Sequence, residues 1–230
     1  MFSTPFYKKA AAVFLGLSLA SAPVLADDLD VLGQFLQQNL TSDQDPLGTF
    51  LAENPDDMLE AQAAIAGPLL SSQAALIVNN RTGEVLYQKN MNRVMPIASI
   101  SKLMSAMVVL DARLNMNEVI TITEDEIDRL KGTGSRLSVG TQLTRAQLLH
   151  LSLMSSENRA THALGRTYPG GMSAFVAAMN AKAQSLGMAN SRFYEPTGLD
   201  YRNVSTAADL NKLAAAASRY PQITKNSTST

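Results

Sequence analysis

Between Ala75 and Gln88 two short extended runs flank a turn, and from Pro96 onward the pattern becomes helical four times. That order confines the chain to a mixed α/β fold. Ala75–Val78 is an unbroken apolar run, Asn79-Asn80-Arg81-Thr82-Gly83 is turn chemistry, and residues 84–88 resume the extended pattern, so a β-hairpin is predicted. Pro96 introduces an apolar helix over about 97–110. A Thr144/Gln147 capping box opens a helix over 145–154, and Gly187 closes one over 172–186. Thr206, with Asp209 three residues on, caps a helix running toward Ser218. No internal repeat is visible.

With 46% hydrophobic and 17% charged residues in 230, the chain can bury a sizeable core. The absence of cysteine excludes a disulfide scaffold, a thiolate zinc site and a cysteine nucleophile. Two histidines far from any His/Glu cluster leave little to hold a metal, and neither a metal nor a cofactor is implied.

Residues 1–26 have the make-up of a cleavable secretory signal peptide: Lys8 and Lys9, an apolar run over 10–20, Pro23, and small residues before Asp27. The run is short of the roughly 20 apolar residues that span a bilayer. Export of the rest to the periplasm is the expectation. Residues 27–70 then form an acidic, partly helical extension, and no Lys or Arg occurs between Asp27 and Asn80. There Leu29, Leu32, Leu36 and Leu40, with Phe35 beside them, draw an apolar stripe on a helix over 28–40 that Gly33 weakens by about 1 kcal/mol. A second short helix is expected over 56–66. The stripe packs on the parent domain or docks in a groove of a partner protein. Without the signal the net charge is −3, and with no basic-aromatic stripe a nucleic-acid partner is not expected.

The chemistry begins at Ser99-Ile100-Ser101-Lys102. Three residues apart on a helix, the Ser99 hydroxyl and the Lys102 amine share a face. A serine needs a base to become a nucleophile, and no His or Asp stands near. Lys102 serves only if its pKa falls from about 10.4 toward 7, through desolvation and the positive end of the helix dipole. Ser-x-x-Lys occurs once, about as often as chance would give, so context must decide. Ser156-Glu157-Asn158 is the chain's single Ser-x-Asn and follows an apolar helix. Ser156 and Asn158 either cap the next helix or face Ser99 from a rigid loop.

Together, residues 96–110, 153–160, Tyr194-Glu195-Pro196-Thr197-Gly198-Leu199 and 204–210 resemble the penicillin-interacting serine peptidases that act on D-alanyl-D-alanine. The likeness runs over about 73–223 and points to the D-alanyl-D-alanine endopeptidase branch of the low-molecular-mass penicillin-binding proteins. It implies a β-lactamase/transpeptidase-like α/β fold over 71–230, an antiparallel sheet flanked by helices. It also implies that Ser99 is acylated, that Lys102 accepts its proton, that Ser156 relays a proton to the leaving amine, and that Asn158 positions Lys102 and substrate. Peptidoglycan stem peptides are the implied substrate, in endo- or carboxypeptidase cleavage, and β-lactams the implied inhibitors.

The family's third element, Lys-Thr-Gly on a later strand, does not occur between Asn158 and Thr230. Arg81-Thr82-Gly83 precedes Ser99 and is turn chemistry; Lys131-Gly132-Thr133-Gly134 has the wrong order. The sequence therefore resembles a member lacking its C-terminal strands, with weak or no peptidase activity expected and one hairpin edge left unpaired. A serine β-lactamase would need another carboxylate base after Asn158, where only Glu195, Asp200 and Asp209 occur. A non-catalytic, peptidoglycan-binding envelope protein is the alternative of another class.

Overall fold

The computed structural model describes residues 11–14 and 70–228. The chain divides into two units, one of residues 16–73 and one of the remainder; the second carries the elements that follow. The expected signal peptide outside residues 11–14 and the helices expected over 28–40 and 56–66 lie outside the described residues.

The predicted hairpin forms as β2 (Ala75–Val78) and β3 (Val85–Lys89). Its turn is held by the Asn79 side chain, whose Oδ1 accepts from the backbone N–H groups of Arg81 and Thr82, and Gly83 adopts φ 78°. Arg81-Thr82-Gly83 is thus spent on the turn. All four β2 residues are buried, whereas β3 is partly exposed, which explains the unbroken apolar run in the first strand and the mixed pattern in the second. β1 (Ala11–Phe14) pairs antiparallel with β2, placing β2 at the centre of a three-stranded sheet, and the outer edge of β3 has no strand partner among the described residues. β1 falls within the apolar run of the expected signal peptide.

The helical half is built around α1 (Ser101–Asp111). Met104, Ala106, Met107, Val108 and Val109 are all at most 3% exposed, so this helix is covered on nearly every side. Against it pack α2 (Arg145–Met154), α3 (Asn158–Arg166), α4 (Gly171–Ser185), α5 (Ala207–Ala217) and α6 (Pro221–Ser227), which contribute Leu148, Leu164, Phe175, Leu213 and Ile223 to one core. The capping box at Thr144 forms in both directions with Gln147, and the Thr206 side chain accepts from the Asp209 N–H. Two small ribbons complete the unit: β4 (Met95–Pro96) with β7 (Val204–Ser205), and β5 (Val119–Thr121) with β6 (Gln142–Thr144). The first ties the chain just ahead of Ser99 to the segment after Gly198.

One buried carboxylate anchors the segment leading out of β5. Glu126 closes a capping box on Thr123 and receives hydrogen bonds from Arg166 and His162. Burial alone pushes its carboxyl up, but the hydrogen bonds from His162, Arg166 and Thr123 outweigh burial and hold it at about 2. Its folded value lies below its unfolded one, so the stabilisation is complete above about pH 4.5 and is lost as the pH falls toward 2. Glu126→Gln is expected to cost about 2 kcal/mol at pH 7, with the gap between the two chains closing in urea titrations carried down toward pH 2.

Candidate active site

Ser99 sits in a single 3₁₀ turn, Ala98–Ile100, that leads into α1. The apolar pattern starts at Ile97, yet regular helix begins only at Ser101, because Ala98 is held at φ 45°, a left-handed conformation that alanine seldom adopts. The kink leaves Ser99 exposed while Lys102, on the first turn of α1, is 3% exposed.

The Lys102 ammonium makes three hydrogen bonds, each of 2.9 Å, to Ser99 Oγ, Asn158 Oδ1 and the Thr197 carbonyl oxygen. All three ammonium donors are thereby used. Burial pushes the amine down from 10.5 to about 8, against the carboxylates of Glu195 and Glu157, which pull it up. Desolvation thus acts in the direction a general base requires, and the nearby acids act against it.

Asn158 is the first residue of α3, and the cap of that helix is Glu157, whose side chain accepts from the Arg159 N–H. Of the two roles open to Asn158 from sequence, the structure places its side chain at Lys102. Ser156 lies on the turn before α3, exposed, at φ 55°, and makes no hydrogen bond among the described residues. The strained turn swings the chain from α2 into α3 with Asn158 directed inward.

Sequence reasoning missed the third partner of Lys102. The Thr197 carbonyl is presented by a loop that Glu195 clamps: its carboxylate accepts from the Thr197 N–H and hydroxyl, the Gly198 N–H and the Asn203 amide. The loop is laced to α1 by Ser105 Oγ donating to the Pro196 carbonyl at 2.7 Å and by Asn203 Nδ2 donating to Ser101 Oγ at 3.0 Å. Gly198 lies directly on the Ala98 carbonyl, where a Cβ has no room. A backbone acceptor leaves no residue-type signal; only the Glu195–Leu199 run could have pointed to it. With four donors on its carboxylate, Glu195 is a loop clamp and not the free base a β-lactamase would need. Among the described residues no three His, Cys, Asp or Glu side chains gather where a metal could be held, and no helix is long and apolar enough to cross a membrane.

The sequence profile of the D-alanyl-D-alanine carboxypeptidase family matches residues 61–230. The chain belongs to the D-alanyl-D-alanine carboxypeptidase family. This carboxypeptidase-family chain is 53% identical over 159 residues to the D-alanyl-D-alanine endopeptidase of Pseudomonas aeruginosa, covering 69% of itself and 51% of that protein. To the Escherichia coli D-alanyl-D-alanine endopeptidase it is 50% identical over 168 residues, covering 73% of itself and 54% of the relative. It therefore spans about half the length of these curated relatives. Among solved structures, the Streptomyces K15 DD-transpeptidase superposes with a TM-score of 0.65 at 29% identity, over 69% of this chain and 65% of that one. The fold is the one the resemblance implied.

Proposed function

We propose that this chain carries the acylation centre of a serine D-alanyl-D-alanine peptidase, endopeptidase or carboxypeptidase, acting on peptidoglycan stem peptides in the periplasm after removal of residues 1–26. The observation that carries the reading is the three-way hydrogen bonding of a buried Lys102. A neutral amine has two N–H groups and one lone pair. Asn158 Oδ1 and the Thr197 carbonyl can only accept, so they take the two N–H groups and leave the lone pair for the Ser99 hydroxyl proton.

Ser99 Oγ attacks the carbonyl carbon of the scissile peptide as Lys102 Nζ takes the hydroxyl proton. The tetrahedral intermediate collapses, the C–N bond breaks, and the leaving amine takes up a proton relayed through the Ser156 hydroxyl. An ester on Ser99 remains, which water hydrolyses to regenerate the enzyme. β-Lactams, which imitate the D-alanyl-D-alanine end, stop at the ester and act as inhibitors. The names of the two endopeptidase relatives support this substrate class.

A fluorescent penicillin tests the reading: the folded chain is expected to be labelled at Ser99 and Ser99→Ala to stay dark. An unlabelled, folded parent chain would instead support the non-catalytic envelope protein. The labelling rate also has a predicted pH dependence. Lys102 must be neutral to act, so the rate at saturating penicillin is expected to rise with pH, about tenfold per unit well below 8, and to level off above it. A flat profile between pH 6 and 9 would remove Lys102 as the base.

A further inference from the structure

We propose that Asp128 and Thr133 lock the Asn158 side-chain amide in the one orientation that leaves the Lys102 lone pair facing Ser99. The inference rests on the reading of Lys102 as the base and assigns positioning residues that neither motif contains. Asp128 opens an exposed loop that returns to α3. Its Oδ1 accepts from the N–H groups of Leu130 and Lys131, and its Oδ2 accepts from the Thr133 N–H at 2.9 Å and hydroxyl at 2.7 Å. Burial works to raise the Asp128 carboxyl, but the Thr133 amide and hydroxyl and the Lys131 and Leu130 amides hold it at about 2. At any working pH Asp128 is an acceptor and nothing else.

Direction then propagates along the chain of bonds. The Thr133 proton is committed to Asp128, so Thr133 Oγ1 can only accept from its other neighbour. That neighbour is Asn158 Nδ2, at 3.1 Å. With Nδ2 turned to Thr133, Oδ1 is turned to Lys102, at 2.9 Å. The flipped amide would set Asn158 Oδ1 against an oxygen with no proton to give, leaving two acceptors facing each other. It would also aim Nδ2 at Nζ. A neutral Lys102 would then receive a hydrogen bond from Asn158 into the lone pair that Ser99 needs. The lock prevents the amide from competing with the nucleophile for its base.

The remaining contacts of the loop make the idea separable from loop stability. Ser135 Oγ donates to Glu157 at 2.7 Å and Arg159 donates to the Leu137 carbonyl at 2.6 Å, so the loop stays on α3 when Thr133 is changed. Thr133 is exposed, and its replacement leaves the core intact. The groups facing the Lys102 amine are Ser99, Asn158 and Thr197, with the carboxylates of Glu195 and Glu157 nearby. None of these changes in a Thr133 variant except the orientation of Asn158.

The experiment is a titration of the full chain carrying lysine labelled with ¹³C at Cε, the Lys102 signal being the one missing from Lys102→Met. In Thr133→Val the ammonium still holds Asn158 Oδ1, but once Lys102 is neutral nothing stops the amide from turning to donate Nδ2–H into the amine lone pair, which stabilises the neutral form and lowers the pKa. The Lys102 titration is expected to move down by about one pH unit in Thr133→Val and to stay at the parent's position in Thr133→Ser, which keeps the hydroxyl. Penicillin acylation of Ser99 is expected to slow about tenfold in Thr133→Val and to be restored in Thr133→Ser. A Thr133→Val chain that titrates with the parent overturns the lock, as does an equal displacement in both variants. Separated titrations in a chain whose Ser99 is never labelled uphold the lock and remove only the catalytic reading.

Discussion

Lys102→Met is expected to slow acylation of Ser99 by about 10³-fold while moving stability at pH 7 by no more than about 2 kcal/mol. The two effects separate because the lysine is a poor structural residue. Holding its amine at about 8 in place of 10.5 costs the folded chain about 3 kcal/mol at neutral pH. Methionine keeps an unbranched stem in the same pocket and removes that cost. It also leaves Asn158 Oδ1 and the Thr197 carbonyl without their shared donor, at about 1–3 kcal/mol each, so gain and loss nearly cancel. The pH dependence carries the sign. The folded value lies below the unfolded one, so the lysine's cost is complete below pH 8 and fades as the pH rises toward 10.5. Urea titrations are therefore expected to show the parent gaining on Lys102→Met by about 3 kcal/mol between pH 8 and 10.5. Acylation lost in proportion to stability would make Lys102 a structural residue only.

How much of this was legible in the sequence follows from where each piece of information resides. The Thr144/Gln147 and Thr206/Asp209 caps and the turn at Asn79 to Gly83 are local devices, written in adjacent residues, and all three form. The helix after Ser156 and Asn158 carries no readable bounds in the sequence because the buried positions of α3 are mostly small, Ala160, Ala163 and Gly165, set among Arg159, His162 and Arg166, which gives little apolar contrast. The ribbons β4–β7 and β5–β6 have strands of two and three residues, too short for an alternating pattern to register. In the candidate site, helical spacing joins Ser99 to Lys102, and the single Ser-x-Asn after an apolar helix points to Asn158, whose role beside Lys102 the resemblance implies. The Thr197 carbonyl is a backbone atom 95 residues from Lys102, and Thr133 is a surface residue 25 away from Asn158. Both depend on tertiary placement that no local pattern encodes.

The sharpest test of that placement is Gly198→Ala. Gly198 is at φ 85°, where a side chain costs about 1–2 kcal/mol, and a Cβ there falls far inside van der Waals contact of the Ala98 carbonyl and 2.9 Å from Ser99 N. The obstacle is backbone at the strained turn that carries Ser99, and it cannot rotate away as a side chain could. Adding an overpacking cost of about 2–3 kcal/mol gives about 4 kcal/mol in all, or about 10 °C in Tm for a chain of this size. Gly187→Ala is the matched control: its φ is 68° and nothing lies within 4 Å of the added carbon, so it meets only the conformational cost. Activity is expected to part company with stability here too. Relief of the clash pushes the Glu195–Gly198 loop off α1, carrying the Thr197 carbonyl away from Nζ and freeing one N–H of the amine. Whatever Gly198→Ala retains in folded form is then expected to acylate at least tenfold more slowly than Gly187→Ala. Equal melting temperatures and equal labelling rates in the two variants would mean that the loop does not press on the Ser99 turn as described.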